Sequence, residues 1–165
     1  MTRVRIGQGF DVHPFSNDPD RTLVLGGVRL DGPGLHGHSD ADVVAHAVAD
    51  AVLGAAGLGD IGQYFPDTDP QWAGADSMHM LWHVVGLAHE AGWRVVNVDC
   101  TVVLEAPRLA PHREAMQKAL GAAVAAPVSV KAKRAEGLGA IGRGEGIACW
   151  AVALLEEDHA GAEAP

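Results

Sequence analysis

The order of apolar patterns along the chain predicts an α+β fold, with one mixed β-sheet and helices packed on one of its faces. Two observations lead there. β-branched runs of strand length alternate with three longer segments whose apolar residues recur at helical spacing. The helices are too few to cover both faces of a sheet, so burial of the second face calls for self-association. A length of 165 residues suits one domain with a real hydrophobic core. We place that domain at residues 1–157 and expect a polar, flexible tail over 158–165.

The elements follow in order. Val4 to His13 is a strand pattern, and Thr22–Leu25, Gly26-Gly27 and Val28–Leu30 read as a hairpin or a bent strand. Asp31 to Gly37 is a loop. Ser39 then opens a helix, with Asp42 three residues on in something close to a capping box. Val43, Val44, Ala47, Val48, Ala51, Val52 and Ala55 repeat at helical spacing, and Gly57 marks the end. Gly59 to Pro70 is dense in turn formers and aspartate. A second helix runs from Asp76 or Ser77 to Ala91, and its Met78, His79, Met80, Trp82 and His83 read as packing and an exposed edge. Trp93 to Leu104 is a long strand, and a third helix covers about His112 to Val124. Val128–Lys133 and Ile147–Leu155 are the last strands, separated by the glycine-rich EGLGAIGRGEG.

Composition narrows the function. Hydrophobic residues make up 48% and charged residues 20%, as in ordinary soluble chains. No apolar run reaches the roughly 18–20 residues of a membrane span, and the start leads into a strand without an apolar signal region. Cys100 and Cys149 lie in strand-like runs and suggest buried free thiols, not a disulfide framework. A cytoplasmic protein is expected. The net charge of −9, with only 12 Lys and Arg, argues against a nucleic-acid surface. An anionic substrate would have to meet positive charge supplied locally, and a bound metal is one source of it.

Asp11-Val12-His13 is the sharpest local constellation. Positions i and i+2 of a strand project from one face, so carboxylate and imidazole converge. A third ligand is available from the first helix, where Asp42, His46 and Asp50 follow along one side. Two histidines and a carboxylate leave a tetrahedral zinc one open position, as in a catalytic site. His38-Ser39-Asp40 precedes the same helix, where amide N–H groups favour an anion, although capping by Ser39 with His38 as a loop residue is the plainer local reading. Gly137 to Gly142 has the spacing of a dinucleotide fingerprint, but it leads into a strand instead of opening a helix, so that reading fails. Lys131, Lys133, Arg134 and Arg143 surround it and are either a source of local positive charge or a solvated face. Asp60, Asp67 and Asp69 suit function or plain turn chemistry.

Taken together, RIGQGFDVHPF, LHGHSDADVVAHAVADAVLGAAGLGDIGQYFPDTDP, NVDCTVVLEAPRLAPH and KAKRAEGLGAIGRGEGIACWAVALL resemble the 2-C-methyl-D-erythritol 2,4-cyclodiphosphate synthase family. They occur in order and cover nearly all of the chain except the tail. The resemblance implies an enzyme that cyclises 4-diphosphocytidyl-2-C-methyl-D-erythritol 2-phosphate with release of CMP, a lyase of the non-mevalonate isoprenoid pathway. It implies Zn2+ held by Asp11, His13 and His46, and Mg2+ or Mn2+ beside the nucleotide diphosphate with Glu136 as its protein ligand. It puts His38 and Arg134 in the catalytic set.

Substrate contacts are implied for Asp11-Val12-His13, for His38 and Ser39 on a phosphate, and for Asp60-Ile61-Gly62 with Phe65-Pro66-Asp67-Thr68-Asp69 on the methylerythritol portion. Leu104-Glu105-Ala106-Pro107-Arg108-Leu109-Ala110 and Lys133-Arg134-Ala135-Glu136 would cradle the cytidine nucleotide, and Ala140 and Arg143 would complete the set. The family forms homotrimers with sites between subunits, and Arg143 would lie near the axis, where an isoprenoid diphosphate can bind. Three departures stand out: Gln8 where the family often has His, Lys133-Arg134-Ala135 where it commonly has a Thr run, and Ala140 where an aromatic is frequent. Two other readings are a diphosphate-binding trimer without turnover and a zinc phosphohydrolase.

Overall fold

The computed structural model describes residues 2–158. Strands β1 (Val4–Pro14), β4 (Trp93–Val103), β5 (Val128–Lys133) and β6 (Gly146–Glu157) form one mixed sheet in the order β1-β6-β4-β5. β6 runs antiparallel to both β1 and β4, and β5 lies parallel to β4. A parallel pair needs a crossover, and helix α4 (Arg113–Val124) supplies it. The hairpin is separate: β2 (Thr22–Leu25) and β3 (Val28–Pro33) make a two-stranded ribbon of their own. Its turn is Gly26-Gly27 with φ of 57° and 74°, the left-handed pair that a tight hairpin turn requires.

Helix α1 (Val43–Ala56) is buried almost all round, between the sheet and helix α3 (Ser77–Glu90). It starts later than the Ser39 opening expected from sequence. Asp42 is the true N-cap, its Oδ1 accepting from Val44 N at 3.0 Å and Ala45 N at 3.1 Å. The same carboxylate accepts Gly26 N at 2.8 Å and Gly27 N at 2.7 Å, so the cap is also the bolt that fastens the hairpin turn to the helix. Burial pushes the Asp42 carboxyl up, with the N–H groups of Gly27, Gly26 and Ala45 pulling against it. At the other end Gly57, at φ 77°, closes the helix in the left-handed conformation.

Two glycines of β1 set how close α1 can come. A Cβ at Gly9 would lie 1.9 Å from the Ala47 carbonyl oxygen, and one at Gly7 would lie 2.0 Å from that of Ala51. Ala47, Ala51 and Ala55 recur every fourth residue and form the smallest possible stripe against them. Helix and strand therefore meet backbone to backbone. Elsewhere the expected loops hold short helices: α2 (Ile61–Tyr64) and a 3-10 turn at Pro70–Trp72 in the aspartate-rich segment, and α5 (Gly139–Gly142) in the glycine-rich one.

The outward face of the sheet carries Ile6, Phe10, Val12, Trp150 and Val152, all exposed, with Phe10 and Trp150 paired across strands at 4.7 Å between ring centroids. Gln8 lies on this face too, away from the helices. Cys100 and Cys149 are buried and free. Among the described residues no helix is long and apolar enough to cross a membrane. From His159 on, the tail lies outside the described residues.

The glycine–alanine seam gives a direct prediction. Gly9→Ala should destabilise the protein by about 3 kcal/mol, because backbone and not a side-chain tip would have to move. Gly54→Ala, on the same helix with only the Gln8 carbonyl oxygen 3.9 Å away, should be neutral or stabilising by up to about 1 kcal/mol. Thermal or urea unfolding compares them, and equal stability of the two variants would contradict the seam.

Candidate metal centre and substrate cavity

Alternation along β1 turns Asp11 and His13 toward the helical layer, on the same side as Gly7 and Gly9. α1 presents His46 immediately before Ala47, the residue whose carbonyl rests on Gly9. The close approach therefore brings three ligand-type atoms together. Asp11 Oδ2 lies 3.0 Å from His13 Nε2 and 2.9 Å from His46 Nδ1, and the two ring nitrogens are 3.3 Å apart. Four ligands at zinc bond lengths of about 2.0–2.1 Å are spaced about 3.3–3.4 Å apart in a tetrahedron, so the cluster is near the size a small divalent cation needs. Asp42 and Asp50, the other two helix candidates, have different work.

The hydrogen-bond partners of the rings support the same reading. His13 Nδ1 donates to the His36 carbonyl at 2.8 Å, and a carbonyl can only accept. The neutral ring then aims the lone pair of Nε2 at the Asp11 carboxylate, an arrangement held together only by a cation or a proton between them. Burial alone would raise the Asp11 carboxyl, yet hydrogen bonds from His13 and His46, and the positive charge of these rings when a proton takes the place of a cation, hold it well below the usual carboxylate range. Burial likewise pushes the His13 imidazole down, but Asp11 outweighs it and leaves the ring more basic than usual.

A cavity of about 830 Å³ opens over the cluster. Of the residues expected at a site, Asp11, His13, His38, Ser39, His46, Ile61, Gly62, Phe65, Pro66 and Asp67 line it. Val12 points to the outward face and Thr68 is exposed outside the lining. Asp60 caps α2 through Gln63 N at 3.2 Å, and Asp69 caps the 3-10 turn through Gln71 N at 3.0 Å. The Asp69 carbonyl also accepts from His38 Nε2 at 2.9 Å, which fixes that ring at the cavity wall.

Sequence reasoning missed two supports. Arg21 donates to the Gly37 carbonyl at 2.9 Å and to the carbonyls of Leu35 and Ser39, holding the loop that carries His36 and His38. Asp50 accepts from Ile61 N at 2.8 Å and anchors α2, and burial pushes its carboxyl up. Arg21 belongs to no local motif, and the helical spacing that marks Asp50 says nothing of its bond to Ile61, so only the fold reveals these two roles.

A second cavity, about 310 Å³, is lined by Leu104, Glu105, Pro107, Arg108, Leu109, Ala110, Lys133 and Arg134 among others. Ala106 sits in the same loop, and Ala135 N donates to Glu105 Oε1 at 2.9 Å. The two cavities share no lining residue. Glu136, at φ 54°, Ala140 and Arg143 are exposed and line neither. Arg143 is paired with Glu145 at 2.6 Å, and Lys131 with Asp99, so two of the four expected cations are already partnered.

Comparisons with known proteins agree with this geometry. The YgbB family matches residues 4–156. The 2-C-methyl-D-erythritol 2,4-cyclodiphosphate synthase of Synechococcus sp. (strain CC9311) is 55% identical over 159 residues, spanning 93% of this chain and 95% of that protein. Among solved structures, the bifunctional IspDF from Campylobacter jejuni superposes with a TM-score of 0.90 at 40% identity, over 95% of this chain and 43% of that one. IspF of Plasmodium falciparum, solved as a CDP complex, superposes at 0.81 with 33% identity over 94% and 97%. With identity above one half along nearly its whole length, and a fold shared with solved relatives, the chain belongs to the YgbB family, the family of the 2-C-methyl-D-erythritol 2,4-cyclodiphosphate synthases.

Proposed function

We propose that this protein is a 2-C-methyl-D-erythritol 2,4-cyclodiphosphate synthase, a phosphorus–oxygen lyase of isoprenoid-precursor synthesis working in the cytoplasm as a homotrimer. The observation that carries this reading is the Asp11–His13–His46 cluster at the floor of the large cavity. In the reaction, an oxygen of the substrate's 2-phosphate attacks the β-phosphorus. The bond from that phosphorus to the oxygen bridging the α-phosphate breaks, and CMP leaves with the electron pair. The attacking phosphate is already anionic near neutral pH, so positioning and charge neutralisation outweigh general-base catalysis.

Each group of the chain has a part in that positioning. Asp11, His13 and His46 would hold Zn2+, and Glu136 would be the protein ligand of Mg2+ or Mn2+; these ions would supply Lewis-acid stabilisation of phosphate charge. His38 and Ser39 hydrogen-bond phosphate oxygens. Phe65, Pro66 and Asp67, with Ile61 and Gly62, enclose the methylerythritol portion, and Asp60, Thr68 and Asp69 shape the loops around it. Residues 104–110 and 133–136 take the cytidine nucleotide. Arg134 stands where the family commonly has a hydroxyl, and its guanidinium can stabilise developing phosphate charge.

Two observations support the trimer. The exposed Phe10–Trp150 face is apolar enough to require a cover, and the two cavities share no wall within one chain. A site completed by a neighbouring subunit joins them. Arg143 then lies near the axis, where an isoprenoid diphosphate would have to compete with Glu145 for it.

Phosphorus NMR of the purified protein with substrate and magnesium tests the function. The expected products are the cyclic diphosphate and CMP, with His46→Ala slower by at least about a hundredfold. Hydrolysed linear products would mark a phosphohydrolase, and an unchanged substrate a binding protein. Glu136→Gln keeps the shape and removes the charge. Turnover should fall steeply, by about a hundredfold or more, while zinc content stays at the unsubstituted level. Near-normal turnover in that variant would remove Glu136 from the mechanism.

A further inference from the structure

His46 is held at its far side by Ser77, which lies outside the quoted family stretches, and through it by Asp40; neither lines the larger cavity. Its Nε2 lies 2.8 Å from Ser77 Oγ, and the Ser77 hydroxyl is in turn hydrogen-bonded to Asp40 Oδ1. Ser77 is the first residue of α3 and is buried. Asp40 belongs to the loop before α1 and also accepts Ser77 N at 3.3 Å and Asp42 N at 3.2 Å. Ser39 Oγ is a longer partner of His46, at 3.2 Å, and already accepts from Ala41 N at 3.1 Å.

The direction of each bond follows from what each group can do. A carboxylate only accepts, so the single Ser77 proton goes to Asp40. Ser77 Oγ then meets His46 as an acceptor, and Nε2 of His46 must carry a hydrogen to use it. In a neutral imidazole the other nitrogen, Nδ1, is left with its lone pair. Nδ1 is the atom that faces Asp11 Oδ2 at 2.9 Å and His13 Nε2 at 3.3 Å. His13 is arranged the same way by a different partner, the His36 carbonyl at 2.8 Å.

We infer that Asp40 and Ser77 are positioning residues of the metal centre: they lock His46 in the tautomer and orientation that present Nδ1 to the cation. The inference rests on the reading of Asp11, His13 and His46 as a metal site, and it adds a chain, Asp40 to Ser77 to His46, that joins α3 to that site. Partners of this kind orient ligand rings and raise their basicity. A hydroxyl between carboxylate and imidazole passes on the orienting effect of the charge without placing a second anion against the ring.

The test uses cobalt(II) as the probe in the full chain. Cobalt bound to the unsubstituted protein should give one equivalent with tetrahedral visible absorption and two shifted, exchangeable imidazole N–H resonances, from His13 and His46. Ser77→Ala should weaken cobalt binding by about ten- to a hundredfold in a chelator competition. The His46 resonance should broaden into water exchange, while that of His13, held by the His36 carbonyl, stays sharp. Asp40→Asn, which keeps the shape and should fold even where Ser77→Ala does not, should shift the same resonance and weaken binding in the same direction. Unchanged affinity and an unchanged His46 resonance in either folded variant would overturn the inference, as would loss of both resonances together. Failure of the unsubstituted protein to bind cobalt would remove the metal-site reading itself, and this inference with it.

Discussion

Everything at the centre of this molecule depends on one close contact, the backbone of α1 lying on the backbone of β1. Gly7 and Gly9 provide the room, since any side chain there would collide with the Ala47 and Ala51 carbonyls. Ala47, Ala51 and Ala55 keep the helix side of the seam equally thin. Because His46 neighbours the seam and Asp11 and His13 continue the inward face of β1, the distance between helix and strand is also the size of the cluster. A looser seam would still fold as sheet and helix, but the three ligand atoms would separate beyond the reach of one cation.

Around that contact, separate parts of the chain fix the rings and the loops. Asp42 bolts the Gly26-Gly27 turn to the start of α1. Arg21 holds the loop that offers the His36 carbonyl to His13, and Asp50 ties α2 to the middle of the same helix. These contacts use buried or half-buried charged groups whose hydrogen bonds are satisfied by backbone, which is how such groups are accommodated away from water. The larger cavity inherits its shape from them, so its walls are set by the same helix that supplies His46. The smaller cavity lies on another part of the sheet, around the β4–β5 end, and is served by a different set of loops.

Much of this was legible in the sequence. Period-two alternation gave Asp11 and His13 a common face, and helical spacing marked α1 and ended it at Gly57. What separated His46 from Asp42 and Asp50 as the third ligand was not local pattern, because all three share one side of the helix; tertiary partners consume the two carboxylates. The start of α1 was misplaced at Ser39 for a related reason. A capping signal names residues that can cap, and the hairpin turn, far away in sequence, decided that Asp42 does. The glycines of β1 carried no distinct signal either, since a strand glycine reads as a bulge, a bend or a close approach alike. Asp40 and Ser77, 37 positions apart, form no motif at all. The resemblance to the family named the ligands, whereas the fold supplied the reasons for them.

The central claim is that the β1–α1 seam builds a site for one divalent cation. Anomalous diffraction at the zinc edge, from crystals of the purified protein, tests it most directly. The account predicts one peak in each chain, within bonding distance of Asp11 Oδ2, His13 Nε2 and His46 Nδ1, about 2.0–2.2 Å from each. A peak coordinated by other residues, or none in protein grown and purified with zinc present, would contradict it.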